Sequence, residues 1–243
     1  MTSLNTNLDN NDNDPHDNEE SNHSPINCNY YNFNEFSNAK FDSSKSFSIL
    51  HLNIHSIQRH IESFRPFIQA LESDKFEFDI LAISESKLKR DMDSIVDITL
   101  PNFHPPISTP SEANKGGVLL YINKRIDKFK PRPDLMIYES RLLESSFIEI
   151  INQGKPNSII GVIYRHPSMA VDYFNDIYLR PLITKLSKEN RKHINIAGDF
   201  NVNLLNVASH QSTSEFFDIL TSNFLFYLQY HDLRKLTPLE TTH

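Results

Sequence analysis

Three polar groups stand at the ends of strongly apolar runs. Asn53 closes Ile49-Leu50-His51-Leu52-Asn53, Glu85 closes Ile80-Leu81-Ala82-Ile83-Ser84-Glu85, and Asp199 with Asn201 closes Ile194-Asn195-Ile196-Ala197-Gly198-Asp199-Phe200-Asn201. Runs of this kind read as buried strands, and open α/β sheets place their ligand sites at strand ends. Carboxylates that meet at such a place repel unless a cation or a proton lies between them. Their hard oxygen donors suit Mg2+ or Mn2+ rather than zinc. A fourth group, Tyr164-Arg165-His166-Pro167, follows another apolar run.

Taken singly, each of these residues has a plain structural explanation. Asn and Asp at strand ends are common turn formers, and Glu85 could equally cap the segment that follows it. The set taken in order shifts the balance towards chemistry. His51 and His55 flank Asn53, but His51 alternates with apolar residues in its run, and neither has metal-ligand company at helical spacing. Both read as structural or surface residues. His166 reads as a loop-shaping residue.

The elements that must position these groups alternate between strand-type and helix-type runs from Phe47 onward, the pattern of an α/β protein. Strands are predicted over Phe47–Asn53, Phe78–Ser84, Gly117–Ile122, Ser145–Ile151, Ser158–Tyr164 and His193–Ala197. The turn around Asn152 to Asn157, with Gly154 and Pro156, predicts an antiparallel hairpin between the fourth and fifth. Helices are predicted over Ile57–Leu71, Val171–Ser187 and Thr213–Ser222. In the first, Ile57, Ile61, Phe64, Ile68 and Leu71 share one face, and Pro66 predicts a kink or a break. The stretch from Pro101 to Pro110 reads as irregular. Only five glycines occur, all in or beside strand runs, and Gly198 stands out between a strand and Asp199.

The motifs Leu52-Asn53-Ile54, Asp79 to Ser86, Gly116-Gly117-Val118, Val162 to Pro167 and Gly198-Asp199-Phe200-Asn201 together resemble the endonuclease/exonuclease/phosphatase superfamily. They are most similar to the endonuclease domain of non-LTR retrotransposons, which lies upstream of reverse transcriptase. The resemblance covers about Phe47 to Leu220. It implies a four-layered αββα sandwich of two mixed β-sheets and hydrolysis of a DNA phosphodiester with Mg2+ or Mn2+ as cofactor. Carried over by motif, Glu85 is the metal ligand, Asn53 helps position metal and phosphate, and Tyr164 hydrogen-bonds the scissile phosphate. Asp199 orients or deprotonates the attacking water, with Asn201 beside it. Arg165 either contacts the phosphate backbone or supports its loop.

The family pattern continues to a closing Ser-Asp-His, and no Ser-Asp-His occurs in these 243 residues. Tyr230 to Thr237 is a degenerate version of an earlier segment, and His243 lacks the context of the catalytic histidine. The domain is therefore expected to be incomplete at its C-terminus, with strands missing, a sheet edge exposed and turnover weak or absent. Two further readings are a non-catalytic DNA-binding remnant and a phosphoesterase acting on a small phosphate.

Composition frames the rest. Residues 1–45 form an acidic Asn/Asp/Ser-rich lead-in, expected to be disordered because it cannot bury enough apolar surface to offset its chain entropy. Seven acids and no Lys or Arg fall within Met1 to Ala39, which accounts for the whole net charge of −7 and leaves the chain after Ala39, and with it the candidate domain of residues 46–243, close to formally neutral. An acidic pI thus says nothing against DNA as a partner. Lys87, Lys89, Arg90, Lys115, Lys124, Arg125, Lys128, Lys130 and Arg132 are candidates for a local basic patch, though most read as solvated surface charge. Cys28 is the one cysteine, so neither an intrachain disulfide nor a cysteine zinc site can form, and no disulfide-linked partner is expected. No apolar run reaches the about 20 residues of a membrane span, and no signal peptide is evident. The chain is expected to be intracellular, nuclear or cytoplasmic, rather than secreted.

Overall fold

The computed structural model describes residues 31, 33–38, 47–73, 76–88, 98–109 and 116–222. Cys28, Lys89, Arg90, Lys115, the Tyr230 to Thr237 segment, His243 and most of the acidic lead-in lie outside the described residues.

Among the described residues eight strands form two four-stranded mixed sheets. The first contains β1 (Ile49–Asn53), β2 (Ile80–Ser84), β3 (Ile107–Thr109) and β4 (Val118–Ile122) in the order β1-β2-β4-β3, with β1 and β2 parallel and the other pairs antiparallel. The second contains β5 (Phe129–Pro131), β6 (Leu143–Ile150), β7 (Ser158–Arg165) and β8 (His193–Asp199) in sequence order, with β7 and β8 parallel. The β6–β7 hairpin forms as the turn chemistry predicts. The short strands β3 and β5 do not stand out in the sequence, and β3 lies inside the proline-rich stretch read as irregular.

Successive side chains point to opposite faces and both faces are covered, so β2, β4, β6 and β7 are buried along their whole length. Ile80, Ala82, Val118 and Leu120 pack against Ile148, Ile160 and Val162 to form the core between the sheets. Their sequence neighbours Leu81, Ile83, Leu119 and Tyr121 face the other way, onto Ile57, Ile61, Phe64, Ile68 and Leu71 of α2 (Ile57–Ser73). On the outer face of the second sheet, Leu143, Phe147, Ile159 and Ile163 meet the C-terminal helices. The result is the αββα sandwich, two mixed sheets face to face with helices outside.

The helices depart from expectation in three places. α2 runs without a break through Pro66, because its five-residue apolar stripe holds both halves against the first sheet. The predicted helix over Val171–Ser187 is three pieces: α3 (Val171–Phe174), a π segment (Asn175–Leu179) and α4 (Arg180–Leu186). Pro181 has no N–H to close a regular turn, and the buried Asn175 amide donates to Ser212 O at 2.9 Å, tying the π segment to the start of α5 (Gln211–Thr221). Finally, α1 (Phe33–Asn38) falls inside the stretch read as a disordered lead-in. Phe36 accounts for it, since its ring meets Phe76 edge-on at 4.9 Å and stacks on Phe78 at 6.3 Å.

Among the described residues β1 and β8 are the sheet edges on one side, and they are half-exposed where β2, β4, β6 and β7 are buried. No helix among the described residues is long and apolar enough to cross a membrane.

Candidate active site

The C-terminal ends of β1, β2, β7 and β8 converge, and the predicted residues arrive from both sheets. Asn53 follows Ile49 at period two on β1, and Tyr164 follows Ile160 and Val162 on β7, so both side chains enter the space between the sheets. Tyr164 stands opposite Asp199 in the β7–β8 register. The Asn53 amide nitrogen donates to Glu85 Oε1 at 2.9 Å and to Asp199 Oδ2 at 2.7 Å, so a single side chain links two carboxylates from different sheets.

The backbone is bent to bring these groups in. Of the seven non-glycine residues with positive φ among the described residues, five lie here: His55, Ser56, Glu85, Lys87 and Asn201. Unfavourable φ values persist only where the surroundings over-determine them, and they gather at functional sites. The over-determination is visible. Ser56 N donates to Glu85 O at 2.8 Å, Ile57 N to Ser86 O at 2.9 Å, Ser86 N to Gly117 O at 3.0 Å and Lys87 N to Gly116 O at 2.9 Å. Gly198 answers a close approach, because a Cβ there would collide with the Ile163 carbonyl of β7.

Glu85 is the electrostatic centre. Burial by itself would raise its pKa, but hydrogen bonds from Asn53 and His55 and the charges of His55 and Lys87 outweigh that and hold the carboxyl below its ordinary range. His55 Nδ1 lies 2.7 Å from Glu85 Oε2, and Lys87 Nζ lies 3.8 Å from the same oxygen. Tyr164 is pushed well above its usual range, first by burial and then by the negative charges of Glu85, Asp199 and Glu144, so its hydroxyl keeps its proton.

Asn201 and Arg165 form a brace beneath the site. The Asn201 main-chain N–H donates to Asp199 Oδ1 at 3.1 Å, and its side-chain amide donates to Arg165 O at 2.7 Å. Arg165 is 1% exposed. Its guanidinium donates to Phe200 O and Asn201 O at 2.6 Å each and to Met169 O. Of the two roles open for Arg165, the structure therefore has loop support. Arg165 follows Ile159 and Ile163 to the outer face of the sheet, away from the space that Tyr164 enters, so it is not placed to contact a phosphate backbone.

Three residues of the site escaped sequence reasoning. His55 belongs to it rather than to the bare surface. Lys87 appeared only among candidate surface charges. Glu144, buried on β6 opposite Tyr164 and with its carboxylate under Gly116, lies just before the predicted strand start at Ser145. His51 is structural as expected: burial lowers its pKa to about 4, and Nε2 lies 3.2 Å from Ser84 Oγ. The other basic-patch candidates with described partners are bound in ion pairs and hydrogen bonds away from these residues. Arg125 pairs with Asp79 at 2.8 Å, Lys130 and Arg132 pair with Glu149 at 3.4 and 3.0 Å, and Lys124 donates to Pro101 O.

The donor set suits a hard divalent cation. Glu85 and Asp199 offer carboxylate oxygens on either side of the Asn53 amide nitrogen, and the Asn53 side-chain oxygen accepts from His55 N at 3.3 Å. Mg2+ is characteristically held in this way, by one or two carboxylates with water and substrate phosphate completing its shell.

No protein-family model and no curated protein matches this chain. Solved structures do match it in shape. The AP endonuclease LMAP from Leishmania major superimposes with a TM-score of 0.56 at 14% identity, covering 75% of this chain and 68% of that one. The chain has an endonuclease/exonuclease/phosphatase-type fold. Other structures with this fold are similar to a lesser degree. The Xenopus laevis APE2 catalytic domain has a TM-score of 0.45 at 13% identity, covering 71% of this chain and 67% of its own. The human Nocturnin catalytic domain has 0.45 at 12%, covering 70% and 68%.

Proposed function

We propose that the Glu85, Asn53 and Asp199 centre is a divalent-metal-dependent phosphodiester hydrolysis site acting on DNA, of the non-LTR retrotransposon endonuclease type. The observation that carries this reading is the Asn53 amide joining Glu85 to Asp199 across the two sheets. Two carboxylates so close, with a protonated tyrosine beside them, form a site that calls for a cation and an anionic substrate. The AP endonuclease with the same fold supports a nucleic-acid phosphoester as the substrate class.

Glu85 would hold Mg2+ or Mn2+, with Asn53 helping to position ion and phosphate, and the ion when bound would neutralise charge developing on the phosphate. Asp199 accepts a proton from, and orients, the attacking water. Asn201 acts through Asp199, since its N–H fixes one carboxylate oxygen while its side chain is committed to Arg165 O. The Tyr164 hydroxyl, kept protonated by its surroundings, donates to a non-bridging phosphate oxygen.

Turnover by these 243 residues is slow or absent, because the Asp and His that the family resemblance calls for in Ser-Asp-His do not occur in them. Loss of a single oriented transition-state donor lowers a rate by about 10²- to 10³-fold. Mg2+-dependent nicking of supercoiled plasmid tests the reading, with Asp199→Ala as control. Slow nicking that needs Mg2+ and disappears in the variant is expected, and fast nicking, or nicking that the substitution leaves unchanged, contradicts it.

A further inference from the structure

A phosphodiester is an anion, yet the described walls of this site are acidic: Glu85, Asp199 and, behind them, Glu144. The buried guanidinium of Arg165 is spent on three backbone carbonyls. A divalent ion at Glu85 would supply part of the attraction, and a cation of the chain beside it would supply more. We propose that Lys87 is that phosphate-contacting cation, carried on His55, an assignment that rests on the phosphodiester reading above.

The geometry is specific. Lys87 Nζ lies 3.0 Å from His55 Nε2 and 3.2 Å from Nδ1. An ionised carboxylate only accepts, so the 2.7 Å contact between His55 Nδ1 and Glu85 Oε2 places the ring proton on Nδ1. The lone-pair axes of the two ring nitrogens diverge, so an ammonium almost equally far from both rests against the face of the His55 ring. His55 and Asn53 both donate to Glu85, and Lys87 lies against the His55 ring beside them. Lys87 does not drift as a surface lysine does. Its φ of 51° and its N–H bond to Gly116 O fix where the stem begins, and its side chain is 22% exposed.

An ammonium has three donors in a fixed tetrahedral fan. One side of the fan faces the His55 ring, and Glu85 Oε2 at 3.8 Å attracts the group without holding it in a hydrogen bond. A donor is therefore left for an incoming phosphate oxygen, beside the carboxylate that would carry the metal. The partly buried position makes this charge less screened than that of a free surface lysine. His55, with its side chain 67% exposed, forms the open wall through which the phosphate would arrive.

The test is the salt dependence of binding to a short fluorescein-labelled DNA duplex, read by anisotropy at a fixed Ca2+ concentration over a series of KCl concentrations. One phosphate contact contributes about 0.9 to the slope of log K against log salt. Lys87→Gln is expected to reduce the slope by about that amount, and Lys87→Arg to restore it. Lys155→Gln, in the hairpin turn at the opposite end of β6 and β7, is expected to leave it unchanged, with thermal melting monitoring the fold of each variant. Wild-type binding whose slope Lys87→Gln does not alter overturns the assignment of Lys87 and leaves the phosphodiester reading standing. Absence of wild-type binding at low salt overturns both.

Discussion

Asn53 and Asp199, 146 positions apart in sequence, are joined by a 2.7 Å hydrogen bond that crosses from the first sheet to the second. The same amide holds Glu85 at 2.9 Å, so Asn53 sets the separation of the two carboxylates. Asn53→Ala is therefore expected to lower any Mg2+-dependent nicking by about 10²- to 10³-fold, the range for loss of one oriented polar group. Its thermal stability should change little, since Asn53 is exposed at a strand end. Nicking rate and melting temperature measured on one preparation check both halves.

Arg165 makes the opposite prediction. Arg165→Met strips the partners from the carbonyls of Phe200, Met169 and Asn201 and should destabilise the domain by about 3 kcal/mol, the scale for breaking a buried charged hydrogen-bond network. Urea denaturation measures it. A surface phosphate contact would instead weaken DNA binding and spare stability.

Gly198 has no room for a side chain. Gly198→Ala would drive a methyl group into the Ile163 carbonyl and force β8 away from β7, a loss of about 3 kcal/mol or more that takes Asp199 out of place. Chemical denaturation, together with nicking, should show both losses at once.

Acid sensitivity should come from the far end of the second sheet. Glu149 is 2% exposed. Burial by itself would raise its carboxyl, but Lys192, Asn157 and Lys130 bring its pKa down to about 2. The folded value lies below the ordinary 4.5, so the stabilisation is complete above that pH and is lost as pH falls towards 2. Wild-type protein should lose on the order of 2 kcal/mol more than Glu149→Gln across that window. Urea midpoints taken from pH 5 downward check the difference, and equal losses in the two proteins would contradict it.

Much of this was legible in the chain because the signals were periodic or terminal. The α2 stripe from Ile57 to Leu71 is the buried face observed, and Asn53, Glu85 and Asp199 meet because each ends an apolar strand. Facing was not legible. Tyr164 and Arg165 are adjacent, and the strand before them is apolar on both faces, so alternation separates the two without saying which one enters the space between the sheets. Glu144 was missed because polar Ser145 and Ser146 made the strand start look later than it is. His55 and Lys87 were missed because their role comes from a backbone bend at positive φ, which neither residue type announces. The resemblance carried by the motifs reached the fold but left two roles open for Arg165, between which its burial and its three carbonyl partners choose.

The central claim is that Glu85 and its partners form a divalent-cation centre. A Mn2+ titration followed by electron paramagnetic resonance tests it most directly, because it reads the ion and needs no turnover. One bound Mn2+ per chain, displaced by Mg2+ and lost in Glu85→Gln, is the predicted result. No bound ion in the wild-type protein, or binding that Glu85→Gln leaves intact, would contradict it.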